Sequence, residues 1–363
     1  MSDSMIEHSV ARVFADNVDK SVLHAVEGGA FADRLWNLVT DSGFHVAVAF
    51  EASGGIGQTW GAAYPILRGL GYWQVPLPLA ETMIGACLLS AAGIELPEGP
   101  IALIEQGHDS QLTLQGSAGA RTLHGTAKRV AWARHSPTAV VSLAGGGLAL
   151  VDLREPGTSK ATARPNHARI PSDDLQFEGA RVLAHAEASI PGLDLPVWTL
   201  GAMARSAMMV GALEWLLEQS VQYANDRVQF GRPIGKNQAI QQQLALMAGD
   251  VAAARVAATV AANDAASPAQ ADARRTAFSA AVAKSRVGEA ATRGTSIAHQ
   301  VHGAIGFTHE HLLHFATRRV WTWREEFGAD SWWAERLGRA AISARSEAFW
   351  PALTDRHYQG GLI

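Results

Sequence analysis

The chain has 363 residues, 48% of them hydrophobic, enough to bury a sizeable core across two or three domains. A formal net charge of −4, with basic residues scattered along the chain, excludes an electrostatic footprint for nucleic acid and points to a small-molecule partner. The single cysteine, Cys87, excludes an intrachain disulfide; with no secretory pattern in Met1 to Asn17 and no run near the roughly 18 uninterrupted apolar residues of a membrane span, a cytoplasmic protein is expected.

From Ser9 to about Gly93, apolar residues such as Val10, Val13, Phe14 and Val18 recur at three- and four-residue spacing, which predicts a helical first third. The glycine-rich stretch Glu51-Ala-Ser-Gly-Gly-Ile-Gly57 interrupts it as a turn, and Pro76 and Pro78 stop one helix before the next. Between Ile101 and about Leu183 come short apolar runs with β-branched residues, among them Leu112–Leu114, Ala139–Leu143 and Leu148–Leu153. They predict a small antiparallel β domain, with Glu155 to Asn166 as an exposed loop. From Leu195 onward the chain is alanine-rich and periodic, with helices predicted at about 197–226, 237–265, 268–301, 311–327 and 330–349, a four-helix bundle with an appendage. Gly231 to Gly235, Ser267-Pro268 and Gly303 to Gly306 separate these helices. The fold class is α+β, with an N-terminal helical domain over 1–99, a middle β domain over 100–190 and a C-terminal helical bundle over 191–363.

Two stretches carry chemistry. Tyr223 to Gln238 combines a helix end, a tight glycine turn and a new helix start; Arg227 there can donate several hydrogen bonds to a pyrophosphate, and Phe230 can cover a flat ring. Taken singly, they also read as a surface arginine and a core phenylalanine. The second stretch, His299-Gln-Val-His-Gly-Ala-Ile-Gly-Phe-Thr-His-Glu-His311, puts two glycines where backbone can approach a ligand closely. Its four histidines raise the possibility of zinc, but without cysteine or carboxylate at set spacing no metal site is assigned, and helix-capping histidines are the plainer reading.

Together these pieces resemble the acyl-CoA dehydrogenase family over nearly the whole chain. Glu51 to Gly57 is similar to the family's glycine turn, Arg227 to Gly231 to its arginine-aromatic-glycine flavin motif, and Gln300 to Phe307 to its glutamine-glycine flavin loop. The resemblance implies an acyl-CoA dehydrogenase-like fold and FAD as cofactor. It implies that Arg227, Phe230 and Gln238 approach the flavin from one chain, while Gln300, His302, Gly303 and Gly306 line its adenosine-diphosphate half from another, hence a dimer or tetramer.

The catalytic carboxylates are missing from their usual places. The family's reaction moves the α-proton of an acyl thioester to a glutamate while the β-hydrogen leaves as hydride, and such a base must lie within reach of that proton. By the resemblance, the glutamate of most members falls on Phe327, and that of a smaller group on about Gly201. Two acids, Glu325 and Glu326, sit beside the first position; Glu326, one residue from it, is the favoured candidate base in the chain itself and Glu325 the second, although consecutive helical residues are turned about 100° apart. The family segment that supports the flavin ring and part of the CoA is reduced to Glu105-Gln-Gly-His-Asp-Ser110, and the strand that meets the ring aligns with Lys128 to Trp132, making Trp132 a candidate flavin contact.

These departures resemble a subset of the family in which two related chains pair, one contributing the base. The resulting expectation is a flavin-dependent subunit that, with a homologous catalytic partner, introduces an α,β double bond into an acyl-CoA and passes electrons to an electron-transfer flavoprotein. The alternatives are a self-sufficient homo-oligomer using Glu326, and a flavin-free helical scaffold.

Overall fold

The computed structural model describes residues 3–107, 109–117, 119–145, 147–155, 159–265, 272–344 and 346–356. The first third is helical: α1 (Asp3–Ala15), α2 (Lys20–Glu27), α3 (Asp33–Asp41), α4 (Trp60–Tyr72) and α5 (Leu79–Ala91). Side chains satisfy two helix starts, since the backbone N–H of Val22 donates to Asp19 at 3.0 Å and that of Ala62 to Thr59 at 3.2 Å. The glycine-rich break is a turn, with Gly54 and Gly57 both at positive φ.

The middle domain holds β1 (Ile101–Glu105), β2 (Ser110–Gln115), β3 (Thr122–Ala131), β4 (Thr138–Ser142), β5 (Leu148–Asp152), β6 (Ser159–Ala163) and β7 (Ser172–Ala186). The sheet order is β1-β4-β5-β7-β3-β2, with β6 added to β7. Two details differ from the sequence reading. The β1–β4 pair is parallel in an otherwise antiparallel sheet. The segment expected as an exposed loop contributes β6, whose Ser159–Ala163 register against Phe177–Asp173 gives an almost fully exposed edge strand; with no buried face, it lacks the apolar alternation that marks a strand in sequence. Alternate residues of the strands, including Ile104, Leu123, Val141, Val151 and Phe177, meet in a separate small core.

The last part comprises α6 (Pro196–Asp226), the hairpin β8 (Val228–Gln229) and β9 (Arg232–Pro233), α7 (Gln238–Asp264), α8 (Ala273–His302), α9 (Leu313–Glu325), α10 (Asp330–Ser343) and α11 (Ser346–Asp355). The helix expected over 330–349 is thus two helices, and the Ser267-Pro268 break lies outside the described residues. Helix α6 is the central rod, packing on α4, α7, α8 and α9. It meets α4 so closely that a Cβ on Gly71 would lie 1.7 Å from the Met208 carbonyl oxygen, and one on Gly211 2.0 Å from that of Arg68. This glycine-to-backbone crossing joins the N-terminal helices to the bundle in one core.

By length and composition, α6 and α7 are each apolar enough to cross a membrane, but 89% of the apolar window of α6 is buried inside the protein. Only 33% of the window of α7 is buried, and Leu246 and Val256 face outward from it.

Candidate active site

A cleft of about 550 Å³ opens between the β domain and the helices. Its walls are the end of β1, the second half of β3, and residues of α5, α6 and the α9 terminus. At its base lies a buried ionic group. The Arg205 guanidinium on α6 donates to Glu81 on α5 and, at 2.6 Å from Nε, to Glu326 just past α9. Burial opposes the charge on Arg205, but the two carboxylates outweigh it and hold the guanidinium above its ordinary range. Deep ion pairs of this kind require every member, because removing one leaves a desolvated charge.

The neighbouring Lys284 on α8 is fully enclosed and closes the end of α9, with Nζ donating to the carbonyl oxygens of Trp323 at 2.6 Å and Glu326 at 2.7 Å. These are orphan acceptors of a helix C-terminus, and a cation there also suits the helix dipole. Burial pushes the Lys284 ammonium down to about 7, against the pull of Glu326.

The chain then turns through two left-handed residues, Phe327 (φ 55°) and Gly328 (φ 88°), fixed by a 2.9 Å hydrogen bond from Trp333 Nε1 to the Phe327 carbonyl oxygen. The turn lays the Phe327 ring directly on Gly201 of α6, where a Cβ would lie 2.4 Å from its Cγ. Trp198 meets the ring edge-on at 6.0 Å, and Arg205 lies 5.3 Å from its centroid. The two places where the family resemblance expects a glutamate therefore face one another, one glycine forming the seat that the phenylalanine fills.

Glu105, the last residue of β1, reaches the same cleft from the opposite wall. Its Oε2 accepts from the Trp198 backbone N–H at 2.9 Å, so it caps the start of α6. Burial raises its carboxyl to about 7, partly offset by hydrogen bonds including that N–H. Nearer the mouth, Arg129 is paired with Asp109, and Arg164 Nε donates to Asp174 at 3.0 Å.

The expected flavin residues fall in two places. Arg227 ends α6, Phe230 stands fully exposed at the hairpin tip with φ 50°, and Gln238 opens α7. Gln300 is exposed on α8, and Gly303 ends that helix at φ 61° with nothing near its Cβ position. His302 is buried; Nδ1 pairs with the Ala298 carbonyl oxygen at 2.8 Å, and Nε2 has no hydrogen-bond partner among the described residues. Gly306 is buried, its Cβ position 2.7 Å from Leu313. The His302 ring stacks on Tyr223 with centroids 4.6 Å apart, so the two stretches, expected to approach the flavin from different chains, lie at the same end of the bundle in one chain. An exposed guanidinium, an unsatisfied buried imidazole and an open glycine turn are a donor set that fits a pyrophosphate.

At the other place, Glu326 lines the cleft but is engaged by Arg205. Trp132 lies outside the cleft lining, with its ring enclosed by Val26, Ala168 and Ile170; Lys128 to Ala131 form the wall on that strand. Glu81, Arg205 and Lys284 were not singled out from the sequence, although a signal exists. Glu81 is the one charge in α5, and Arg205 stands alone in a long apolar run of α6; a lone charge there must be paired or functional.

Residues 196–342 match the family model described as acyl-CoA dehydrogenase, C-terminal domain. Acyl-CoA dehydrogenase FadE27 of Mycobacterium tuberculosis is 30% identical over 315 residues, covering 78% of this chain and 81% of the relative. The chain belongs to the acyl-CoA dehydrogenase family, oxidoreductases that act on acyl-CoA. Acyl-CoA dehydrogenase IpdE2 of Mycolicibacterium smegmatis is 28% identical over 293 residues, 79% of this chain and 81% of that protein. The fold matches a chain of the ChsE4-ChsE5 complex from Mycobacterium tuberculosis with a TM-score of 0.82 and 24% identity, over 95% of this chain and 98% of that one.

Proposed function

We propose that this chain is a flavin-dependent acyl-CoA dehydrogenase subunit that pairs with a related chain and desaturates an acyl-CoA thioester between its α and β carbons, the partner supplying the base. The observation that carries this reading is the packing of Phe327 on Gly201, which puts an aromatic ring at one family position and fills the space over the other with that ring. A similar protein, ChsE4-ChsE5, is a complex of two chains, and the outward apolar residues Phe230, Phe307, Leu246 and Val256 suit burial in a dimer or tetramer.

A bound FAD would supply the acceptor for the hydride of the β carbon. Arg227 holds its pyrophosphate, Phe230 and Gln238 cover it from the same side, and Gln300, His302, Gly303 and Gly306 complete the enclosure. The strand from Lys128 to Ala131 backs the ring, with Trp132 supporting that strand from behind. An electron-transfer flavoprotein would serve as the electron acceptor.

A second reading keeps the base in this chain as Glu326, because its carboxylate lines the cleft. The ion pair with Arg205 works against it, since that contact already engages a carboxylate oxygen and orients it toward α6. Purification alone and with the related chain, followed by visible absorption and acyl-CoA-driven reduction of an electron acceptor, tests both. Flavin-bound turnover that requires the partner and survives Glu326→Gln is the expected result. A colourless preparation with no turnover in either form overturns the flavin reading in favour of a helical scaffold, and turnover by the chain alone that Glu326→Gln abolishes while flavin content is retained establishes the second reading.

A further inference from the structure

We propose that Glu105 is the group that takes up a proton when a flavin ring bound in this cleft is reduced, so that its carboxyl balances the charge the ring acquires. The inference rests on the flavin reading above and concerns the chemistry of the same cleft. Three acidic side chains line the cleft with little or limited exposure: Glu81, Glu105 and Glu326. Two of them share Arg205 in ion pairs. Glu105 has no ion pair among the described residues, only hydrogen bonds that include the Trp198 N–H at the start of α6.

The remaining charges facing the cleft do not reach it. Arg129 of β3 is engaged by Asp109, and Arg164 by Asp174. Lys128, His167 and Glu325 line the exposed mouth. A carboxyl that is desolvated, unpaired by a cation and held at a helix N-terminus has its two protonation states close in energy near neutrality, and its value of about 7 agrees with that geometry. A negative charge appearing beside it in a low-dielectric cleft tips it to the protonated form.

The balance is simple. Two electrons enter the ring from an added reductant, dithionite in the test, one proton reaches the ring from solvent, and a second proton moves from solvent to a Glu105 oxygen. No bond to Glu105 other than O–H forms or breaks.

The experiment is a reductive titration of the flavin-loaded protein, as isolated with its partner, in weakly buffered solution with a pH indicator, comparing the native protein with Glu105→Gln. Glutamine keeps a side-chain oxygen to accept from the Trp198 N–H, so the α6 cap and the flavin content are retained. The native protein is expected to take up as much as one proton more per two electrons than Glu105→Gln between about pH 7 and 8, the excess vanishing below about pH 6, where Glu105 is already protonated. Reduced-minus-oxidised infrared spectra gain a protonated-carboxyl band in the native protein that the variant lacks. Equal proton uptake and no differing band, with flavin bound in both, overturn the role of Glu105 while the flavin reading stands; a protein that binds no flavin overturns both.

Discussion

Gly201→Ala tests the idea that two vacant catalytic positions are a single packing feature. A Cβ at this place lies 2.4, 2.5 and 2.7 Å from three ring carbons of Phe327. Comfortable carbon contacts are about 3.5–4.0 Å, so the ring must retreat by about 1 Å. It is hemmed by Trp198 and Arg205, and overpacking of this kind costs about 1–3 kcal/mol. Alanine in a helix interior recovers about 1 kcal/mol over glycine, so the net destabilisation is about 1 kcal/mol. In a Phe327→Ala background the clash is gone and only the helix term remains, so the same substitution stabilises by about 1 kcal/mol. Urea denaturation of the four proteins in a double-mutant cycle reads the change of sign directly. An equal effect of Gly201→Ala in both backgrounds would refute the seat-and-plug arrangement, and with it the explanation for losing both base positions together.

Two further perturbations probe the buried charges. Lys284 has a folded-state value of about 7 against an ordinary 10.5, so between those pH values the unfolded chain holds a proton that the native one lacks, and the contribution of this group to stability rises with pH across that window. Lys284→Met should remove that rise, read as a smaller increase in denaturation midpoint from pH 7 to pH 9; an unchanged increase would rule it out. Arg319 on α9 is buried with all three guanidinium nitrogens unpartnered among the described residues, and burial lowers it to about 10. Arg319→Met is expected to raise the melting temperature by relieving an uncompensated charge worth about 1–4 kcal/mol, whereas a lower melting temperature would show that the assembled protein supplies an acceptor.

Much of the architecture was legible because it repeats locally. The helical limits of α6, α7 and α9 follow from 3.6-residue periodicity bounded by glycine and proline, and β4 and β5 from short apolar runs between turns. The turn after Asp226 and the one after His302 could be read because arginine, aromatic and glycine residues lie close together in sequence. The parallel β1–β4 pair and the exposed edge strand β6 could not, since pairing partners and edges are properties of the assembled sheet.

The sequence by itself determined the order of domains, the family likeness and the absence of a glutamate at residues 201 and 327, all of which are written in local pattern. Only the tertiary structure decided what fills that absence. Glu81 and Arg205 are 124 residues apart in the chain, and Glu326 is 121 from Arg205. Their ion pairing, the seating of Phe327 on Gly201 and the capping of α6 by Glu105 arise where α5, α6, α9 and β1 converge. A side chain is engaged or left available by the neighbours that the fold brings to it, and those neighbours have no fixed spacing along the chain.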